Sequence, residues 1–242
     1  MVRVYDRASL RSSGRIHGDP VEPMLDRFAI DVYKPGYEHP GYNADTPVLD
    51  RRMELTLEQY ISRAREDDQL FNSLVDDVLV ATDIWKANPS HSTPRRIYVR
   101  SVFACIEGVV QVMKSASVTI NDAHELACLS AEELCVLREQ ESFVADNGAL
   151  RSKKMRISLL PNLLFTVHIF ERVKGVPHVD YTSDPRMPTL REAIQIRDRL
   201  THPRRLSDLE ITLDDIKIVD SAASLFREMT GRLFKKRSEP IA

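Results

Sequence analysis

The chain has 242 residues with 43% hydrophobic content, which suits one domain plus an extension, or two small domains, and is enough for a real core. A formal charge of −2 excludes a protein that coats nucleic acid wholesale, so any RNA contact must come from local basic patches, and eight glycines are few for a Rossmann-type or β-rich protein. The three cysteines, Cys105, Cys128 and Cys135, make no even disulfide set and lack matching His/Cys pairs, so they read as reduced structural residues of a reducing compartment.

Residues 1–52 read as an irregular arm. Gly14, Gly18, Pro20, Pro23, Pro35, Gly36, Pro40, Gly41 and Pro47 punctuate it, with Tyr33, Tyr37 and Tyr42 between them. Arg3, Arg7, Arg11 and Arg15 recur every four residues, either as a solvated basic segment or as one helix face that meets phosphates. No apolar stretch follows these arginines and no run approaches the roughly 18 apolar residues of a membrane span, so no signal peptide or anchor and a cytoplasmic location are expected.

The helical region spans 53–237. Thr56 and Gln59 form a capping box before Leu57, Tyr60, Ile61, Ala64, Phe71, Leu74, Val78 and Trp85, whose 3–4 spacing predicts a long amphipathic helix. Pro94 is expected to start a second helix with Val99, Val102, Phe103, Ile106, Val109, Val110 and Met113 inward. Arg96, Arg100, Glu107 and Lys114 run along one edge of it, so Glu107 either faces a neighbouring helix or sits beside Arg100 in solvent. Ser130 and Glu133 cap a third helix over about 131–143, and Asp146-Asn147-Gly148 predicts a small β-hairpin insertion within 143–157. On its return arm Arg151, Lys153, Lys154 and Arg156 are either solvated or placed to track an RNA backbone.

Leu159 to Val173 predicts a fourth helix, apolar on most sides and so central, with His168 read as a packed core histidine in preference to a catalytic one. The following loop holds His178, Asp180, Tyr181 and Asp184 without recognisable metal-ligand spacing. Thr189 with Glu192, and Thr212 with Asp215, are read as caps of the last two helices, the final one carrying Ile216, Val219, Ala223, Phe226, Met229 and Leu233 on its inner stripe. Five or six helices without strand–helix alternation predict an all-α, up-and-down antiparallel bundle.

The fifth helix carries the chemistry. Leu190, Ala193, Ile194, Leu200 and Thr201 share one stripe, and Arg197 lies near its centre, about 20° from Leu190. A guanidinium in that position needs a carboxylate or a wet cavity, because an unpaired buried charge is prohibitively costly. Glu107 and Asp68 are the carboxylates considered for such a pair. Pro203 should end the helix near His202, roughly 7.5 Å of rise beyond Arg197, so both side chains can share one phosphate.

The string Arg197-Asp198-x-x-x-His202, followed by Pro203 and Arg204, resembles the R-[NDH]-x-x-x-H signature of the HEPN superfamily. An earlier long helix with acidic Glu107 (Tyr98 to Met113), a Ser-initiated helix with its Asp-Asn-Gly turn and a final helix opening at Leu209 extend the resemblance over roughly 90–235. It implies a metal-independent endoribonuclease, needing no cofactor, whose site forms where two motif helices meet across a homodimer. It further implies His202 for proton transfer, Arg197 for phosphate and transition-state binding, and Asp198 for orienting a neighbouring motif residue, with Arg204 and Arg205 on flanking phosphates. Asp198 stands where family members often carry Asn. An alternative is a catalytically inactive RNA-binding or dimerisation module, in which Arg197 is a structural ion pair. A third reading is a toxin or defence component held silent by a regulatory or antitoxin protein docked on the arm.

Overall fold

A computed structural model describes residues 57–123 and 128–234. The arm of residues 1–52, its arginines and tyrosines and the Thr56 cap lie outside the described residues. Within them the chain is an all-α bundle with one two-stranded hairpin: α1 (Leu57–Ala87), α2 (Ser92–Ala123), α3 (Ala131–Leu137), β1 (Gln140–Val144), β2 (Leu150–Lys154), α4 (Leu159–Val173), α5 (Met187–Thr201) and α6 (Leu213–Gly231). Short 3-10 turns at Tyr181–Ser183 and Leu206–Leu209 precede α5 and α6.

The long helices α1 and α2 form an antiparallel pair joined at residues 88–91. Gly108 permits their close approach, because a Cβ there would lie 2.1 Å from Leu74 Cδ1. The centre of the bundle is α2, which packs against α1, α4, α5 and α6 and buries Val99, Val102, Phe103, Ile106, Val109, Val110 and Met113. The sequence pattern pointed to α4 instead. That helix packs on α2 and links two clusters, offering Leu163, Val167 and Phe170 to the main core and Ile169 to a satellite core with Leu129 and Leu137. Its apolar girth reflects two interfaces rather than centrality.

By length and composition α2 could also cross a membrane, contrary to the expectation that no run approaches a span. Here it is a core helix whose buried face includes Lys114, Ser117 and Asn121. It begins at Ser92, two residues before Pro94, since proline is tolerated in a first turn, and continues past Met113 to Ala123.

Several boundaries differ from the sequence expectation for local reasons. The Ser130–Glu133 capping box forms, but α3 ends at Leu137 rather than near 143, because Glu139 takes φ +52 and turns the chain into β1. The hairpin pairs Gln140 with Lys154 through Val144 with Leu150. Helix α5 starts at Met187, with Pro188 in its first turn, so Thr189 and Glu192 lie inside it and form no cap. The Thr212–Asp215 capping box opens α6 at Leu213, and Leu209 belongs to the preceding 3-10 turn.

Candidate functional site

The C-terminal half of α5 lines an open cleft of about 1000 Å³. Its other walls come from α2 (Glu107, Val110, Gln111), from Glu139 between α3 and β1, from residues 157–162 at the start of α4, and from the turn containing Arg204, Arg205 and Asp208. The N-terminal part of α2 fixes this geometry. Ser92 Oγ and Arg96 donate to the Leu209 carbonyl at 3.2 and 3.0 Å, and Arg100 donates to the Leu200 carbonyl at 3.2 Å. Arg100 thus places a cation on the C-terminal dipole of α5, and Glu107 one turn or two further along faces the same helix.

The buried stripe of α5 is Met187, Leu190, Ala193, Ile196 and Leu200. It is rotated from the stripe read in the sequence: Ile196 is inside, Thr201 is exposed, and Arg197 sits at the boundary with its side chain 26% exposed. Arg197 forms an ion pair with Glu107 across the helix interface and a second with Asp198 at 2.8 Å. Partial burial opposes its charge, but the hydrogen bond to Asp198 and the charge of Glu107 outweigh it and hold the guanidinium above its ordinary value. Asp68 takes no part in this pair.

Helix α5 ends at Thr201 with His202 as its C-cap, as Pro203 requires. The His202 amide donates to the Asp198 carbonyl at 2.9 Å, while its ring is exposed on the cleft wall. Asp208 Oδ2 accepts from the backbone amides of Arg204 and Arg205 at 2.8 and 2.9 Å, which fixes the turn and leaves both guanidinium groups outward. Among the described residues the side chains of Arg191, Arg204 and Arg205 form no ion pair.

Arg197, Asp198, His202, Glu107, Arg204 and Arg205 therefore share one cleft, whereas Lys153 and Lys154 do not line it. Both lysines lie on β2 beside an adjoining groove that shares Gln111 and Glu139 with the cleft. Lys153 pairs with Glu141 at 3.3 Å and Lys154 with Glu139 at 3.5 Å. Glu139 Oε1 also accepts from Gln111 at 3.0 Å and from Lys114 at 2.9 Å, the latter only 2% exposed. Burial alone would raise the Glu139 carboxyl, but these hydrogen bonds and the lysine charges leave it below its ordinary range.

Arg191, Gln195 and Arg199, absent from the sequence-based candidates, line the cleft with Asp198 and His202. Their 3–4 spacing along α5 was the available signal, since it marks one polar helix face. Arg199 is held by Asp215 of the α6 cap at 2.7 Å. His168, expected in the core, is instead exposed, and its Nδ1 lies 3.2 Å from His178 Nδ1, outside the cleft. No protein-family model, curated protein or solved structure matches the chain.

Proposed function

We propose that the cleft is the active site of a metal-independent endoribonuclease of HEPN type, completed by a second copy of the chain. The observation that supports this reading most directly is that Arg197 and His202, from one helix end, open onto a single solvent-reachable cleft beside three guanidinium groups that form no ion pair among the described residues. RNA cleavage by its own 2′-hydroxyl forms the bond from that oxygen to phosphorus and breaks the bond to the 5′-oxygen. The products are a 2′,3′-cyclic phosphate and a 5′-hydroxyl. One proton leaves the attacking hydroxyl and one reaches the departing oxygen, and an exposed imidazole from each copy supplies the acceptor and the donor. Arg197 stabilises charge on the phosphorane, with Asp198 orienting it, and Arg204 and Arg205 hold neighbouring phosphates. Leu206, 79% exposed between Arg205 and Asp208, gives the rim an apolar residue suited to self-association.

A non-enzymatic interaction module is the second reading, favoured by one feature. Arg197 already has both of its carboxylate partners, and the cleft sets five arginines against four carboxylates. The deciding experiment is cleavage of labelled RNA in EDTA by the wild type, Arg197→Ala and His202→Ala. Loss of cleavage in both variants with unchanged circular dichroism supports the nuclease. Equal cleavage by the His202→Ala protein, or none by the wild type, rejects it.

A further inference from the structure

On the far half of α4 from the cleft, three potential ligand atoms converge. His168 and Glu171 are three residues apart and project from the same face of α4. Gly175, at φ +61, then closes the helix: its amide bonds to the Arg172 carbonyl at 3.1 Å and the Val176 amide to the Glu171 carbonyl at 2.9 Å. This paired C-terminal closure reverses the chain and brings His178 back over the helix it has just left. His178 Nδ1 lies 2.7 Å from Glu171 Oε2 and 3.2 Å from His168 Nδ1, and all three ligand atoms lie within 4.8 Å of one another.

Protons serve this arrangement poorly. If His178 Nδ1 carries a hydrogen, that single hydrogen must serve both the carboxylate and the His168 nitrogen; if it does not, its lone pair faces that of Glu171. A cation accepts all three lone pairs at once. With metal–ligand distances of about 2.0–2.1 Å, tetrahedral edges are about 3.3 Å, close to the observed separation of the two imidazole nitrogens. The His178–Glu171 edge, at 2.7 Å, has to open by about half an ångström, and the His168–Glu171 edge lies within 4.8 Å, so small rotations of the two exposed rings adjust both.

The carboxylate is also prepared for this role. Glu171 is 1% exposed, and its other oxygen, Oε1, is engaged by Arg232, which in turn donates to Tyr181 Oη at 2.6 Å and to the Pro177 carbonyl at 3.0 Å. Arg232 thereby fixes the rotation of the carboxylate and aims Oε2 at the histidines, as groups behind metal ligands do. Nearby Asp180 and Glu133 are committed elsewhere, to Thr182 and to Arg172 with the Ser130 amide. The outward side, where both imidazoles are exposed, faces solvent.

We propose that His168, Glu171 and His178 bind one divalent transition-metal ion of the zinc class, with solvent in the remaining position. Two imidazoles and a carboxylate suit Zn²⁺, Co²⁺ or Ni²⁺ rather than Ca²⁺ or Mg²⁺. The ion pins the loop between α4 and α5 to α4, so its effect is on the stability of that connection.

The test uses the full chain, stripped of metal and titrated with Zn²⁺ by calorimetry and with Co²⁺ by visible absorption. Expected are one equivalent at micromolar Zn²⁺, a Tm raised by several degrees, and a Co²⁺ spectrum without a thiolate charge-transfer band. Affinity should fall at least about tenfold in His168→Ala and in His178→Ala, in line with the loss of a ligand, and should be unchanged in His91→Ala. Both ligand histidines are exposed, so these variants are expected to fold, which circular dichroism checks. Absence of stoichiometric binding, or binding that survives both substitutions or vanishes when Cys128 and Cys135 are replaced by serine, overturns the proposal. RNA cleavage by His178→Ala in EDTA keeps this outcome separate from that of the nuclease reading.

Discussion

Glu107 on α2 and Arg197 on α5 are joined by a direct ion pair, and that pair lies in the wall of the same cleft onto which His202 opens. It ties the candidate site to the central helix of the bundle. The Arg197 side chain is 26% and the Glu107 side chain 41% exposed, so the pair works in a partly aqueous setting.

Glu107→Gln should therefore cost little stability, about 0–1 kcal/mol by urea unfolding. Its larger effect is expected on phosphate contact: with one carboxylate gone, Arg197 is freer to meet an anion, and RNA affinity in a filter-binding assay should rise. A loss of several kcal/mol on this substitution would instead mark the pair as structural, in favour of the module reading.

Lys114 and Glu139 form the most deeply buried ion pair that joins α2 to the hairpin connection. Lys114→Met leaves Glu139 without its main partner and should destabilise by about 2–4 kcal/mol, since breaking one side of a buried pair costs more than removing both. The double variant Lys114→Met/Glu139→Gln should recover most of that loss. The sign with pH follows from the lowered carboxyl of Glu139: its contribution is present above about pH 4.5 and is lost as pH falls through the lower folded value. A double variant no more stable than the single one would show that the pair carries no such coupling.

Asp67 on α1 has its carboxyl pushed up to about 6, chiefly by burial, against hydrogen bonding with Ser115 and the charge of Arg63. The folded state then holds a proton that the unfolded chain has already released, so stability falls as pH rises from about 4 to about 6. Asp67→Asn should raise Tm at pH 8 and lose that advantage near pH 4. A constant difference across the range would contradict this.

Gly108→Ala and Gly108→Val should diverge. Alanine gains about 1 kcal/mol of helix propensity, and the atom it meets is the mobile end of Leu74, so it is expected to be near neutral. Valine adds bulk that Leu74 cannot clear without separating α1 from α2, at about 1–3 kcal/mol. Equal midpoints for the two variants would show that the helices do not depend on close approach there.

The bundle and its hairpin were legible in the sequence because apolar spacing and caps act locally. Leu159–Val173 emerged with both ends in place, as did the capping boxes of Ser130 and Thr212. What failed depended on neighbours distant in sequence. The rotation of α5 that moves Arg197 to the edge is set by packing of Ile196 and Leu200, not by periodicity within α5 alone. His168 looked interior because its helix is apolar on most sides, yet it occupies the narrow polar gap between two buried faces. The approach of His178 depended on a helix-end reversal at Gly175, whose geometry no ligand-spacing rule encodes.

Glu139 divides its two oxygens between different clients. Oε1 takes the inward bonds from Lys114 and Gln111, and Oε2 takes the outward, longer contact with Lys154. Lys154 thus meets the cleft wall through the longer link, while the Met155 amide donates to the Glu139 carbonyl at 2.7 Å and holds the base of the strand in place. The Lys154 contact can therefore open while the inward bonds and the backbone link stay in place, so this side chain can reorient without loosening the buried lysine or the central helix that holds it.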